Sequence, residues 1–577
     1  MANQTRGSVR RSQLVTTYGV GALVAIEEES FMIAGIDRWQ VNDPNIHEPR
    51  LERLLNVRGF VLPPATENGR DIPVFRFPLW CSCPVCSRLD EHRFFTTFDK
   101  NRCANCNVNL VPSRFVVCCN RGHIDDFPYF AWVHAGGRGS GNEHELTIQA
   151  GGTSASLRDI VISCKCGLSK SLEGAFGKAA LKEIGYRCSG NRPWLGAAQE
   201  ACNETPRTLQ RGASNVWFPT VYSSISIPPW SEGAFKILNR YWSALQYAPD
   251  DALPQIIGGM GIAKGTPYSV EDLVLAIQQR RTGEGSGAVS QPDGLRWQEY
   301  EALMKGKAET GPDQEFVCVS AKGGNAVAEE WFERVMLVKR LREVRALHSF
   351  TRVIPPMPGD PPERRSPICQ SSPGWLPAIE VRGEGVFLVL NAGRLRVWES
   401  DPLVVQRAAK VNNNYLKRTQ ALGSVPVRVI TPRFLLVHTL AHVLINQWAL
   451  DCGYPAASLR ERLYVSDGMA GLLIYTATSD SAGSLGGVVA QAAPGRLDEA
   501  LLEGINRASW CSSDPLCIES DATGVDALNL AACHACTLLP EVSCEEMNLF
   551  LDRAVLVGLP ANQKLGFFAE MLASGVD

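Results

Sequence analysis

The residues best equipped for chemistry are the cysteines: the 577-residue chain holds 19, and they are clustered. Eleven lie between Cys81 and Cys202 and five between Cys511 and Cys544. C-x2-C pairs beside Gly, Asn and Pro present thiolates to a tetrahedral Zn2+ ion. The first set is Cys83 and Cys86, a 16-residue gap, then Cys103 and Cys106, with Cys81 as a spare that could replace Cys83. The second set is Cys164 and Cys166 with the distant Cys188 and Cys202. Cys119 and His123 compete for that role or serve another metal. Beside Asp125 and Asp126, His123 itself reads rather as a satisfied structural histidine. The third set is Cys533, Cys536 and Cys544 with Cys511 and Cys517 upstream, five candidates for four positions. Cys318, Cys369 and Cys452 stand alone and read as small buried residues. Each set can be closed by four protein ligands, which predicts structural zinc, because a hydrolytic zinc keeps one position open for water.

Other chemistry is conspicuously missing. There is no G-x-x-x-x-G-K-[ST] phosphate loop, and the nearest approach, Gly174 to Ala179, lacks the hydroxyl that would hold Mg2+. No G-x-S-x-G nucleophile elbow is present. His438 and His442 are one helical turn apart, but Thr439 occupies the place of the general base in H-E-x-x-H, so they read as core histidines. With 57 basic and 60 acidic side chains, the net charge of −3 excludes a cationic nucleic-acid coat but leaves room for a local patch. Residues 331–353 carry six basic side chains against two acidic ones. Read as a helix, this segment puts Arg342 and Arg345 on one face and offers Arg340, Arg342, Arg345 and Arg352 to DNA phosphates.

The elements that must position these groups are uneven along the chain. Residues 1–80 form a β-rich segment with a strand at Leu23–Ile26. Residues 81–228 are cysteine- and turn-rich, the composition of metal-pinned modules. Residues 229–350 turn helical, with Ser269 capping a helix that runs on through VLAIQQRR, and 281–294 form a loop. Six prolines in 352–367 mark a boundary before 351–577, the C-terminal α/β domain. There, 376–398 read as a hairpin or meander, 430–450 as an apolar helix, 472–478 as a strand, and DEALLEGINRA as a helix. Arg433, His438, His442, Asn446 and Gln447 interrupt the apolar helix, which therefore suits a protein core better than a bilayer. The fold class predicted is α+β and multidomain: a zinc-pinned cysteine-rich N-terminal half, a helical middle and an α/β zinc-binding C-terminal domain. A soluble cytoplasmic protein is expected.

Several long stretches together resemble a known family: RRSQLVTTYGVGALV, RFVVCCNRGHIDDFPYFAWVH, RGASNVWFPTVYSSISIP, LREVRALHSFTRV, HTLAHVLINQWALDCGYPAASLRERLY and AACHACTLLPEVSCEEMNLFLDR. The combination is similar to the DrmB family of the bacterial DISARM anti-phage system. The part from Phe434 to Cys544 resembles the MrfA-type zinc-binding domain, otherwise found fused to DNA helicases. The resemblance implies zinc as cofactor, carried over most directly onto Cys533, Cys536 and Cys544. It also implies a DrmA-like helicase subunit as partner, with DNA reached through the complex. On this reading the chain is a non-catalytic subunit, and the missing phosphate loop belongs to the partner. The alternative is a metal-dependent nuclease or hydrolase working through His123, Asp125 and Asp126 or through His438 and His442.

Overall fold

The computed structural model describes residues 5–574 except position 42, segments 66–70, 96–99, 138–143, 152–155, 197–198, 283–291 and 311–313, position 373 and segment 477–485. Most of the expected 281–294 loop, and the Gly/Ser segment after the strand near 472, lie outside the described residues. The chain closes into two compact units, each assembled from three stretches of sequence. One comprises Met1–Pro44, Val61–Tyr222 and Ala346–Ile379, the other Asn45–Phe60, Ser223–Arg345 and Glu380–Asp577. No helix among the described residues is long and apolar enough to cross a membrane.

The first unit is built of short strands. Leu23–Ile26 is a strand as expected and pairs antiparallel with Glu29–Ile33. Phe115–Cys118 lies between Arg207–Gln210 and Ile124–Asp126, which brings residues before position 207 beside Cys119. In a six-stranded sheet, Leu146–Ala150 pairs with Ile160–Cys164 in a register that sets Leu146 opposite Cys164. Phe115, Phe127, Tyr129, Trp132, Leu146 and Ile162 make the core beneath both sheets. Large aromatic area compensates there for short elements.

The second unit mixes helices with long strands. Ser269 caps the helix Val270–Thr282: its Oγ accepts from the Asp272 amide at 3.1 Å, while Asp272 Oδ2 accepts from the Ser269 amide at 2.9 Å, a reciprocal capping box. The apolar helix Pro432–Cys452 starts at Thr431, whose side chain accepts from the Phe434 amide, and stops at Gly453 with φ of 68°. It is apolar all round because it is buried all round. Leu459–Ser466 and Met469–Thr476 form a hairpin through Asp467 and Gly468. Side chains alternate along a strand, so Glu461 meets His438 on one face while Arg462 meets Glu299, from helix Pro292–Lys305, on the other.

Two sequence expectations are corrected here. Residues 376–398 are not a hairpin: Leu376–Leu390 is one strand, and helix Ala392–Glu399 follows, capped by the Asn391 side chain. Gly383 and Gly385 lie inside the strand, where a Cβ would collide with the Thr476 and Ile474 carbonyl oxygens of the neighbour. Residues 332–351 are likewise a strand, preceded by the short helix Ala326–Trp331. Buried on both faces over 341–347, the strand loses the period-2 pattern, and arginines three apart imitate a helical face.

Those arginines are therefore not a DNA-facing surface. Arg342 is 5% exposed and is held by Glu380 (2.7 Å), Ser226 Oγ (2.7 Å) and the His47 carbonyl (3.1 Å). Arg345, also 5% exposed, pairs through Nε and a terminal nitrogen with Glu343 Oε2 at 2.8 and 2.7 Å. Arg352 is fully buried and donates to the carbonyls of Gly122, Val216 and Gly21. Only Arg340 reaches the surface, and it pairs with Glu309.

Candidate metal centres

Among the described residues, five groups of four Cys, His or Glu residues have one donor atom each lying within 4.8 Å of all the others. A zinc–sulfur distance of about 2.3 Å places two sulfurs of a tetrahedron about 3.8 Å apart, whereas a disulfide would bring them to about 2.05 Å. The sulfur–sulfur distances seen are 3.9 Å for Cys86 to Cys103, 4.0 Å for Cys119 to Cys202, 3.5 Å for Cys511 to Cys533 and 3.7 Å for Cys517 to Cys536. The donors are spaced for a metal ion.

The first set groups as the spacing predicts: Cys83, Cys86, Cys103 and Cys106 converge, and Cys81 does not join them. The two C-x2-C turns are built alike. Ser87 and Asn107, each next after the second cysteine, sit at φ of 58° and 53°. Their amides donate to the carbonyls of Cys83 (2.9 Å) and Cys103 (2.8 Å). The amides of Cys83 and Cys103 in turn donate to the carbonyls of Arg88 and Val108. Each turn thus aims two sulfurs at one point.

The second expected set divides in two. Cys188 and Cys202 join Cys119 and His123, while Cys164 and Cys166 join His134 and His144. The strand pairing explains the division. Cys202 precedes the strand that lies against Phe115–Cys118, and His144 precedes the strand whose Leu146 faces Cys164. The ligands of one group bracket those of the other in sequence, so assigning the nearest cysteines to one another mixes the groups. His123 is placed among these sulfurs: its Nδ1 is 3.3 Å from Cys119 Sγ and 3.5 Å from Cys188 Sγ. On the far side of the ring, Glu200 lies 2.9 Å from Nε2, itself held by Arg121 and Arg192. That is the carboxylate–histidine arrangement that orients metal-binding imidazoles. Asp125 and Asp126 stay out of the group. Asp125 accepts from Ser189 and Asn191, and Asp126 accepts from the amides of Leu79 and Trp80. Burial pushes the Asp126 carboxyl up to about 7.

His134 and His144 were missed in the sequence. His134 Nε2 is 3.3 Å from Cys166 Sγ, and its Nδ1 is 2.9 Å from the Phe130 carbonyl, which fixes the free nitrogen toward the sulfur. His144 Nδ1 is 3.5 Å from Cys164 Sγ. The leucine amide at 168, then His134, lower the Cys166 thiol to about 6, as thiolate ligation needs. The signal available was two histidines flanking a glycine-rich stretch just before Cys164.

The third set resolves the choice between Cys511 and Cys517 by using both: Cys511, Cys517, Cys533 and Cys536 converge, and Cys544 is the one left over. Amide groups of Ser513 and Cys533 donate to Cys511 and Cys536 sulfurs at 3.4 and 3.3 Å. Four thiolates around Zn2+ carry a net charge of −2, and the buried Arg553, paired with Asp514, lies beside Cys517. Cys544 instead meets His438, His442 and Glu461, so the two histidines read as core residues belong to a fifth cluster.

Residues 440–537 match a family model described as the MrfA Zn-binding domain, a span that holds all four converging cysteines of the third set. Residues 10–218 match a domain of unknown function, DUF8724, which spans the three groups of the first unit. A curated DISARM protein DrmB from Bacillus paralicheniformis is 30% identical over 574 residues, covering 94% of this chain and 99% of the relative. The cofactor expectation is met: a zinc-binding domain is present, with Cys/His clusters suited to zinc.

Proposed function

The chain belongs to the DrmB family of DISARM proteins, and from that premise we propose that it is a non-catalytic zinc-pinned subunit of this bacterial anti-phage system, one that associates with the system's DNA helicase and supports its binding to and movement along DNA. The observation that supports this best is closure. In the groups around Cys83, Cys119, Cys164 and Cys533, the protein supplies four donors each, enough to fill a tetrahedral site. Zinc there would stabilise the folded turns and supply no open coordination position for water. Cys83, Cys86, Cys103 and Cys106 would hold one ion; Cys119, His123, Cys188 and Cys202 a second; His134, His144, Cys164 and Cys166 a third; Cys511, Cys517, Cys533 and Cys536 a fourth.

The nuclease reading finds less support at His123, Asp125 and Asp126. His123 faces three sulfurs, and the carboxylates of Asp125 and Asp126 are spent on Ser189, Asn191 and two backbone amides. With no phosphate loop in the sequence, a motor for the system would come from another chain on this reading. Co-expression with the helicase subunit of the same system, followed by affinity capture on either chain, tests the association. A stable complex is expected. Folded, zinc-loaded chain that fails to capture the helicase at low salt would refute it.

A further inference from the structure

The cluster of His438, His442, Glu461 and Cys544 lies outside the four cysteine-rich groups, and we infer that it is a separate zinc site, buried and closed, which ties the apolar helix to the hairpin and to the C-terminal tail. Helix Pro432–Cys452 contributes His438 and His442 one turn apart, strand Leu459–Ser466 contributes Glu461, and the tail contributes Cys544. His438 Nε2 is 3.3 Å from Cys544 Sγ and 3.2 Å from Glu461 Oε1. His442 Nε2 is 3.5 Å from Glu461 Oε2. Ligands at about 2.0–2.3 Å from one zinc ion stand about 3.3–3.6 Å apart in a tetrahedron, within about 0.3 Å of these distances.

The surroundings prepare three of the four donors. His442 Nδ1 donates to the Thr537 carbonyl at 2.8 Å, which leaves the Nε2 lone pair facing the cluster. Thr537 follows Cys536, so the turn that closes the four-thiolate group also sets this imidazole. Glu461 Oε1 accepts from the Glu545 amide at 3.1 Å, and Cys544 Sγ accepts from the amides of Glu546 (3.3 Å) and Asn548 (3.2 Å). Both amides to sulfur favour a thiolate.

Two features suit a cation. His442 Nε2 and Glu461 Oε2 are buried without a hydrogen-bond partner, although they face each other. His438, His442 and Glu461 are fully buried and Cys544 is 5% exposed. One Zn2+ with a carboxylate, a thiolate and two neutral imidazoles sums to zero charge. That makes this site tolerable where a four-thiolate complex would be an unpaired dianion. The same closure separates it from hydrolytic sites with two histidines and a glutamate, because Cys544 fills the fourth position.

The inference is independent of the helicase, so its failure and that of the proposed association are read separately. The test is native mass spectrometry of the full chain, purified without chelator and saturated with zinc. Wild type is expected to carry five zinc ions per chain, Cys544→Ala four, Cys533→Ala four, and the double variant three. A folded Cys544→Ala chain with the wild-type count overturns the inference. If Cys544→Ala fails to fold, the wild-type count decides: five supports the site, and four or fewer overturns it.

Discussion

Replacing Arg345 by methionine separates a buried ion pair from a phosphate-binding surface. Glu343 is fully buried, and Arg345 grips one of its oxygens with two nitrogens. Removing one partner of a buried pair costs about 3–5 kcal/mol, because the other charge is left uncompensated. Glu343 keeps Tyr475 Oη at 2.9 Å and Arg462 at 3.4 Å, which places the loss near the lower end, about 3 kcal/mol. An exposed arginine would cost within about 0.5 kcal/mol. Urea unfolding followed by tryptophan fluorescence reads the shift in midpoint, and Arg345→Met with Glu343→Leu is expected to recover much of the loss. DNA affinity of the helicase complex, measured at two salt concentrations with folded variant, should keep the wild-type salt slope, since no phosphate contact is lost. A variant as stable as wild type with a flatter salt dependence would refute the reasoning and return these arginines to DNA.

Glu200→Gln is expected to weaken zinc retention by the Cys119 group about 10–100-fold in chelator competition, by loosening the His123 ring; unchanged retention would contradict that role. Burial alone would raise the Glu343 carboxyl, but Arg345, then Arg460 and Arg462, more than offset it and hold it well below the usual carboxylate range. Its stabilisation is therefore complete above about pH 4.3 and lost as pH falls toward the lowered folded value, so Glu343→Gln should lose stability at neutral pH and flatten the acid limb, as acid titration of unfolding would show. Gly385→Ala should cost about 1–3 kcal/mol from the collision with the Ile474 carbonyl; a neutral result in thermal unfolding would contradict the strand register. Stripping zinc should expose residues 81–215 to protease before the rest of the chain, and a digestion pattern unchanged by chelation would argue that the cysteine turns hold without metal.

Local chemistry was legible wherever ligands are local. The paired turns at Cys83 and Cys103 could be read because two residues between cysteines fix the sulfur geometry by themselves. The apolar helix and the Ser269 cap were legible for the same reason: period and capping act over a few residues. What failed was long-range. Cys188 goes to Cys119 and not to Cys166 because the loop that carries it is tied to strand Ile124–Asp126 by the Ile124 amide on the Asn191 carbonyl and by Ser189 and Asn191 on Asp125, long-range contacts no spacing records. His438 and His442 were judged without their partners, since Glu461 comes from a hairpin strand and Cys544 from the tail. The arginines at 342 and 345 misled because a strand buried on both faces carries no alternation, and Glu380, the carboxylate that holds Arg342, lies on another strand outside the segment.

DNA-stimulated ATP hydrolysis tests the central claim most directly, measured for this chain alone, for its helicase partner alone and for the complex. The account predicts none with the chain alone, activity in the complex that is abolished by changing the helicase's own phosphate-loop lysine, and a higher rate with the chain bound than without it. Turnover of ATP or cleavage of DNA by the purified chain alone, lost on changing His123 or His438, would contradict it.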